Sequence, residues 1–224
     1  MRMLVISDIH ARTDMVQRLI LDSAGTDCIV VGGDITHFGG YADAAKVMDP
    51  ILASQIPVVA VAGNCDTDDA EQYLTDKGIN IGSQYSRVGN FVFIGVGGSL
   101  PCPKPTPLEF GDQMLERVLS KGLCQAREIP LFKQKESLIV VSHQPAFGTK
   151  VDSVNGRYTG SKAVRKFIET HHPLLAVSGH IHEAFGIDTI DKTMLVNPGP
   201  LKDGRYAVVE INGENVQIEL CILD

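Results

Sequence analysis

Short runs of uninterrupted hydrophobic residues, each closing on glycine or a polar cluster, set the rhythm of this chain. Met3 to Ile6, Cys28 to Val31, Pro57 to Ala62, Phe91 to Val96, Ser137 to Ser142 and Leu174 to Val177 are of this kind. A strand that is apolar at every position is one buried on both faces, as in parallel sheets covered by helices. Segments with apolar residues at helical spacing fall between these runs. Thr13 opens one, with Met15, Val16, Leu19 and Ile20 as its stripe. Others run over 41–53, 68–76 and 108–122, and Ser161 caps one with Val164, Phe167 and Ile168 inward that ends near His171-His172-Pro173. Strand, helix, strand, helix, strand predicts parallel βαβ units. The last quarter changes to short strands over 193–196, 206–211 and 216–222, the last two joined by the turn Asn212-Gly213. These predict a second sheet built mainly of antiparallel pairs. The whole chain, 1–224, is expected to form one α/β domain.

Composition narrows the classes of function. A formal net charge of −7 argues against a basic surface that grips nucleic-acid backbone. It leaves phosphate-bearing small substrates open, because bound divalent metals reverse the local charge. The five cysteines, Cys28, Cys65, Cys102, Cys124 and Cys221, are scattered and odd in number, which predicts free thiols in a reducing, cytoplasmic setting. No apolar run is long enough to cross a bilayer, and Met3 to Ile6 is too short for a signal-peptide core. No membrane partner is expected. An exposed strand edge or apolar patch would be the route to a homodimer.

The chemistry sits where the strands stop. Asp8 and His10 follow the first, Asp34 the second, Asn64 the third, His143 the run 137–142, and His180 and His182 the run 174–177. In parallel sheets, polar sites gather outside the carboxyl ends of the strands. Alternate side chains of an extended segment share a side, so Asp8 with His10, and His180 with His182, can each enter one cleft. Each piece alone is ordinary turn chemistry. Five strand ends that each deliver a ligand-type side chain are not. Carboxylate and amide oxygens mixed with imidazoles suit borderline divalent ions, and seven donors are too many for one tetrahedral ion. Two ions sharing a bridging carboxylate are a common device for phosphoester hydrolysis. His171 and His172 are explained by the end of a helix and are left outside the site.

Together the blocks Asp8-Ile9-His10, Gly33-Asp34, Gly63-Asn64, His143 and Gly179-His180-Ile181-His182 resemble those of the calcineurin-like metallophosphoesterases. The resemblance implies a four-layer α/β/β/α sandwich of two mixed sheets flanked by helices. It implies two divalent ions per chain, manganese first, with nickel, cobalt, iron or zinc as alternatives. Asp8, His10 and His182 would hold one ion, Asn64, His143 and His180 the other, and Asp34 would bridge. Many members continue Gly-Asn-His, whereas Cys65 stands here. Gly-Asn-Cys-Asp resembles a branch of small prokaryotic phosphodiesterases that lack that catalytic histidine. The implied function is a phosphodiesterase acting on a small nucleotide-type or cyclic diester by attack of metal-bound hydroxide. Asn64 would also touch a phosphate oxygen, and His37, three residues past Asp34, is the candidate to replace the missing acid. Gly98 and Ser99 are candidate substrate contacts. The proline-rich segment after them is either a cover for the site or a connector, and Asn197-Pro198-Gly199 resembles a turn that shapes backbone near the site. The alternatives are a phosphomonoesterase or, from another class, a non-catalytic metal-binding scaffold for protein interaction, as a retromer subunit of this fold is.

Overall fold

The structure is a computed structural model that describes residues 1–21, 23–128 and 137–223. Its first strand, β1 (Arg2–Ile6), shows the rule that builds it. Successive side chains of a strand point to opposite faces, and Met3, Leu4, Val5 and Ile6 are all buried. Leu4 and Ile6 belong to an outer core under helices α1 (Thr13–Leu21), α2 (Tyr41–Leu52) and α3 (Asp68–Asp76), with Val16, Leu19, Val47 and Met48. Met3 and Val5 belong to a middle core with Phe93, Ile139, Val141 and Val177 of the other sheet. This double burial is why Met3 to Ile6 carry no polar side chain. The same division holds for β2 (Cys28–Val31) and β3 (Val58–Ala60), which continue the parallel order from β1.

The second sheet begins with β4 (Tyr85–Val88) and β5 (Phe91–Val96), then β6 (Ser137–Ser142). Helices α4 (Asp112–Arg127) and α5 (Lys162–His171) cover its outer face through Leu115, Leu119, Leu123, Val164, Phe167 and Ile168. A two-stranded hairpin, β7 (Ser153–Val154) and β8 (Arg157–Tyr158), stands apart from both sheets. The chain then gives β9 (Leu175–Ser178), β10 (Gly186–Ile190), β11 (Thr193–Asn197), β12 (Arg205–Asn212) and β13 (Asn215–Ile222). The orders are β13-β12-β1-β2-β3 and β10-β11-β9-β6-β5-β4. Both sheets mix parallel and antiparallel pairs, and the layers run helix, sheet, sheet, helix.

Three expectations need correction. The last strands do not form a sheet of their own. β11 joins the second sheet parallel to β9, whereas the β12–β13 hairpin joins the first, antiparallel to β1. Local alternation could not say which sheet would take them. The strands β4 and β10 were not foreseen: Tyr85–Val88 is polar and half exposed, and Gly186–Ile190 opens on a glycine. Helix α4 starts at Asp112, not Leu108, because the backbone before it is engaged elsewhere. Leu108 N–H donates to the Asn64 carbonyl at 3.1 Å and Phe110 N–H to that of Ser99 at 2.8 Å. The helix then runs on to Arg127.

Candidate metal centre

The parallel strands β1, β2, β3, β6 and β9 end on one rim of the sandwich, and their following loops are tied to each other. The N–H groups of Asp8, His10 and Ala11 donate to the carbonyls of Gly33, Asp34 and Ile35, all at 2.9 Å. Close approach here requires glycine. A Cβ on Gly63 would overlap the carboxylate and backbone nitrogen of Asp34, and one on Gly179 would overlap Ser7 Oγ and Asp8 Oδ2. Asp8, His10, Asp34 and His180 all have left-handed backbone, with φ of 54°, 46°, 51° and 66°. Side-chain-bearing residues avoid that region unless surrounding structure imposes it, and such residues cluster at functional sites.

All seven side chains expected at the site converge. On one side, His182 Nε2 lies 3.1 Å from Asp8 Oδ1 and 3.3 Å from His10 Nε2. On the other, Asn64 Oδ1 lies 3.0 Å from His143 Nε2 and 2.7 Å from His180 Nδ1. Asp34 stands between. Its Oδ2 is 3.6 Å from His10 Nε2, and its Oδ1 is 3.4 Å from His143 Nε2. Donor atoms of Asp8, His10 and His182 lie within 4.8 Å of one another, as do those of Asp8, Asp34 and His143. Imidazole lone pairs and carboxylates aimed at common points fit divalent cations, and the mixture of oxygen and nitrogen donors suits borderline ions.

The surroundings set the protonation of these groups. His143 Nδ1 is 2.7 Å from the Gly32 carbonyl. A proton held there leaves Nε2 as the free donor. Burial pushes His10 down to about 4 and His180 down to about 3, so both rings are neutral near pH 7. Burial also pushes Asp34 up to about 6, against the pull of His143. At Asp8 the effect of burial is outweighed by the His182 hydrogen bond and nearby imidazoles, which hold the carboxyl below the usual range.

Several groups with a part in this geometry were not singled out by sequence reasoning. Buried Asp66 accepts from the N–H groups of Ile35, Thr36 and Gly63 and from Thr36 Oγ1, at 2.7–3.1 Å, and so joins the loops that carry Asp34 and Asn64. It lies within the Gly-Asn-Cys-Asp block, which was the available signal. Asn64 Nδ2 donates to Thr106 Oγ1 at 3.1 Å, and Thr106 Oγ1 donates to Glu109 Oε1 at 2.7 Å. This chain of bonds aims Asn64 Oδ1 at the two imidazoles. Its members lie more than forty positions from Asn64, and nothing local in the sequence announces them. The proline-rich segment is thus fastened beside the site. Asn197, at the turn noted in the sequence, donates to the Ile181 carbonyl at 2.9 Å and accepts from Gly199 N–H, fixing the backbone between His180 and His182.

The remaining candidates fall as follows. His37 is exposed, its ring centroid 5.6 Å from that of His10 and stacked on Phe38. Donor atoms of His10, His37 and Cys65 lie within 4.8 Å of one another. Burial raises the Cys65 thiol, with Asp34 adding to the effect, so it is neutral. Gly98 N–H donates to the Ala62 carbonyl, and buried Ser99 directs its hydroxyl to the Leu100 carbonyl at 2.8 Å. These donors are engaged within the loop. His171 and His172 close α5, away from the site. All five cysteines are free. Among the described residues, no helix is long and apolar enough to cross a membrane.

The family model described as calcineurin-like phosphoesterase matches residues 1–184. An uncharacterised protein of Methanocaldococcus jannaschii is 33% identical over 205 residues, 89% of this chain and 88% of that one. Among solved structures, a Thermus thermophilus protein, TT1561, is similar with a TM-score of 0.76 at 18% identity, over 97% of each chain. A dimetal phosphatase from Danio rerio is similar with a TM-score of 0.65 at 13% identity, over 100% of this chain and 99% of that one. These two structures are alike in fold.

Proposed function

The chain belongs to the calcineurin-like phosphoesterases, metal-dependent phosphoesterases with a dinuclear divalent centre, and from that premise we propose that it is a phosphodiesterase for a small nucleotide-type or cyclic diester. The observation that carries the reading is the position of Asp34, with one carboxylate oxygen turned to the His10 side and the other to the His143 side. In this reading Asp8, His10 and His182 would hold one ion, Asn64, His143 and His180 the other, and Asp34 would serve both. Manganese is the ion proposed first. Two divalent ions so held supply Lewis acidity, lowering the pKa of a water and offsetting charge on the phosphate oxygens. Asn64, besides its place as a ligand, is set to contact a phosphate oxygen. The P–O bond to water forms, the water's proton passing to solvent, as the bond to the leaving alcohol breaks in line, and His37 gives a proton to the leaving oxygen. Support for a diester over a monoester comes from Cys65. A neutral thiol adds no positive charge where an imidazolium would, and a diester carries one negative charge fewer than a monoester dianion. The five free cysteines support a cytoplasmic location.

Hydrolysis of bis-p-nitrophenyl phosphate by metal-free protein refilled with manganese tests this. Turnover should exceed that on p-nitrophenyl phosphate and fall by at least about 10²-fold in Asp34→Asn. Equal or greater monoester turnover would overturn the diester assignment. No turnover on either, with two ions bound per chain, would favour the scaffold. His37→Ala should lower turnover about 10²-fold, most for poor leaving groups. Unchanged turnover on a poor leaving group would remove His37 from the mechanism.

A further inference from the structure

A groove of about 720 Å³ opens directly on His180, and His37 is not among the residues that line it. Its walls come from two unrelated segments. Leu100, Pro101 and Pro103 form one, and Val154, Arg157 and Thr159, on and beside the β7–β8 hairpin, form the other. Buried Gln144 holds them at a fixed separation. Its Oε1 accepts from Leu100 N–H and its Nε2 donates to the Thr159 carbonyl, both at 2.9 Å. The hairpin is anchored again through buried Asp152, which accepts from Gly148, Thr149 and Gly160 N–H groups at 2.8–3.1 Å. A groove held open by prolines and buried hydrogen bonds is pre-formed, as small-molecule sites usually are.

Its charge is also out of character for the molecule. The chain carries a net charge of −7, yet no aspartate or glutamate lines this groove. Arg157 does line it, exposed and with no partner for its guanidinium among the described residues. The apolar stretch next to His180 suits the body of an organic group. The arginine beyond it suits an anion, which guanidinium binds in a bidentate fork.

We propose that this groove receives the organic arm that stays on phosphorus after hydrolysis, and that Arg157 binds a second phosphate carried by that arm. The substrate class is therefore a diester of a phosphorylated nucleoside or sugar. The inference rests on the phosphodiesterase reading and adds the identity of one arm. It divides the site by side, with the leaving alcohol toward His37 and the retained arm toward His180.

The test compares thymidine 5′-(p-nitrophenyl phosphate) with the same compound bearing a 3′-phosphate, using manganese-loaded protein and bis-p-nitrophenyl phosphate as reference. Wild type should favour the 3′-phosphorylated diester at least tenfold in kcat/KM, and Arg157→Gln should bring that ratio close to one. Titration calorimetry with thymidine 3′,5′-bisphosphate gives a readout free of turnover: binding should weaken at least tenfold in Arg157→Gln and persist in Arg157→Lys more than in Arg157→Gln. A wild-type ratio near one, or a ratio and affinity unchanged in Arg157→Gln, would overturn the assignment while leaving the phosphodiesterase intact. Failure of the wild type on all three diesters would instead remove the phosphodiesterase reading and this inference with it.

Discussion

The orientation of Asn64 depends on a partner far along the chain. An amide can turn either end toward a cation, and only its oxygen binds one. Here the choice is made by Thr106, which accepts from Nδ2 and is itself held by Glu109 through its hydroxyl and its backbone N–H at 2.7–2.8 Å. Partners of this kind usually change metal affinity about 10–100-fold when removed. Thr106→Val should therefore weaken binding of one of two manganese ions by about that factor, and Thr106→Ser should retain most of it. Titration calorimetry on metal-free protein reads this directly. Equal weakening of both ions, or none, would show that Thr106 does not orient the amide.

At the scale of elements, the first turns of α4 and α5 are joined through Asp112. Ser161 Oγ accepts from Val164 N–H at 3.0 Å, capping α5, and donates to the Asp112 carboxylate at the start of α4. Asp112 also accepts from Ala163 N–H at 3.2 Å. Ser161 is fully buried, so its loss leaves the Val164 N–H without its acceptor and the Asp112 carboxylate without one of its donors. Ser161→Ala should cost about 1–2 kcal/mol, read from the denaturant midpoint at unchanged slope. The cap was legible from Ser161 standing before an apolar stripe. Its second partner was not, because Asp112 belongs to a helix nearly fifty residues earlier.

Across the whole molecule, the centre lies astride the two sheets. Asp8, His10, Asp34 and Asn64 follow strands of the first, and His143, His180 and His182 follow strands of the second. Ions bound there would tie the layers together. Manganese at about a hundred times its dissociation constant should stabilise the fold by about 2.7 kcal/mol, raising Tm by roughly 5–10 °C. The gain should shrink on acidification. Metal and proton compete for the same donors, and metal-free Asp34 takes up a proton below about 6. His143, held above its ordinary value by Asp34 and Asp8 despite burial, competes in the same direction. His10 and His180 do not compete until pH falls toward about 4 and about 3. Thermal melts with and without manganese from pH 8 to pH 5 should show a shift that narrows as pH falls below 6. A shift independent of pH would mean that Asp34 is not a ligand.

The sequence by itself determined the strands that carry the site and the residues at their ends. Buried parallel strands must be apolar throughout, and the change to glycine and ligand-type side chains at each end is written in consecutive positions. From this the layered α/β class, the seven convergent residues and the exclusion of His171 and His172 all followed. Only the tertiary structure decided the rest. It divided β10 to β13 between two sheets, since hydrogen-bonding edges carry no address in local alternation. It moved the start of α4, since Leu108 and Phe110 pair with loops far away in the chain. It brought Thr106 to Asn64 and the 153–158 hairpin to His180. Such contacts depend on how layers pack, and packing is a property of the assembled chain that no single stretch of it contains.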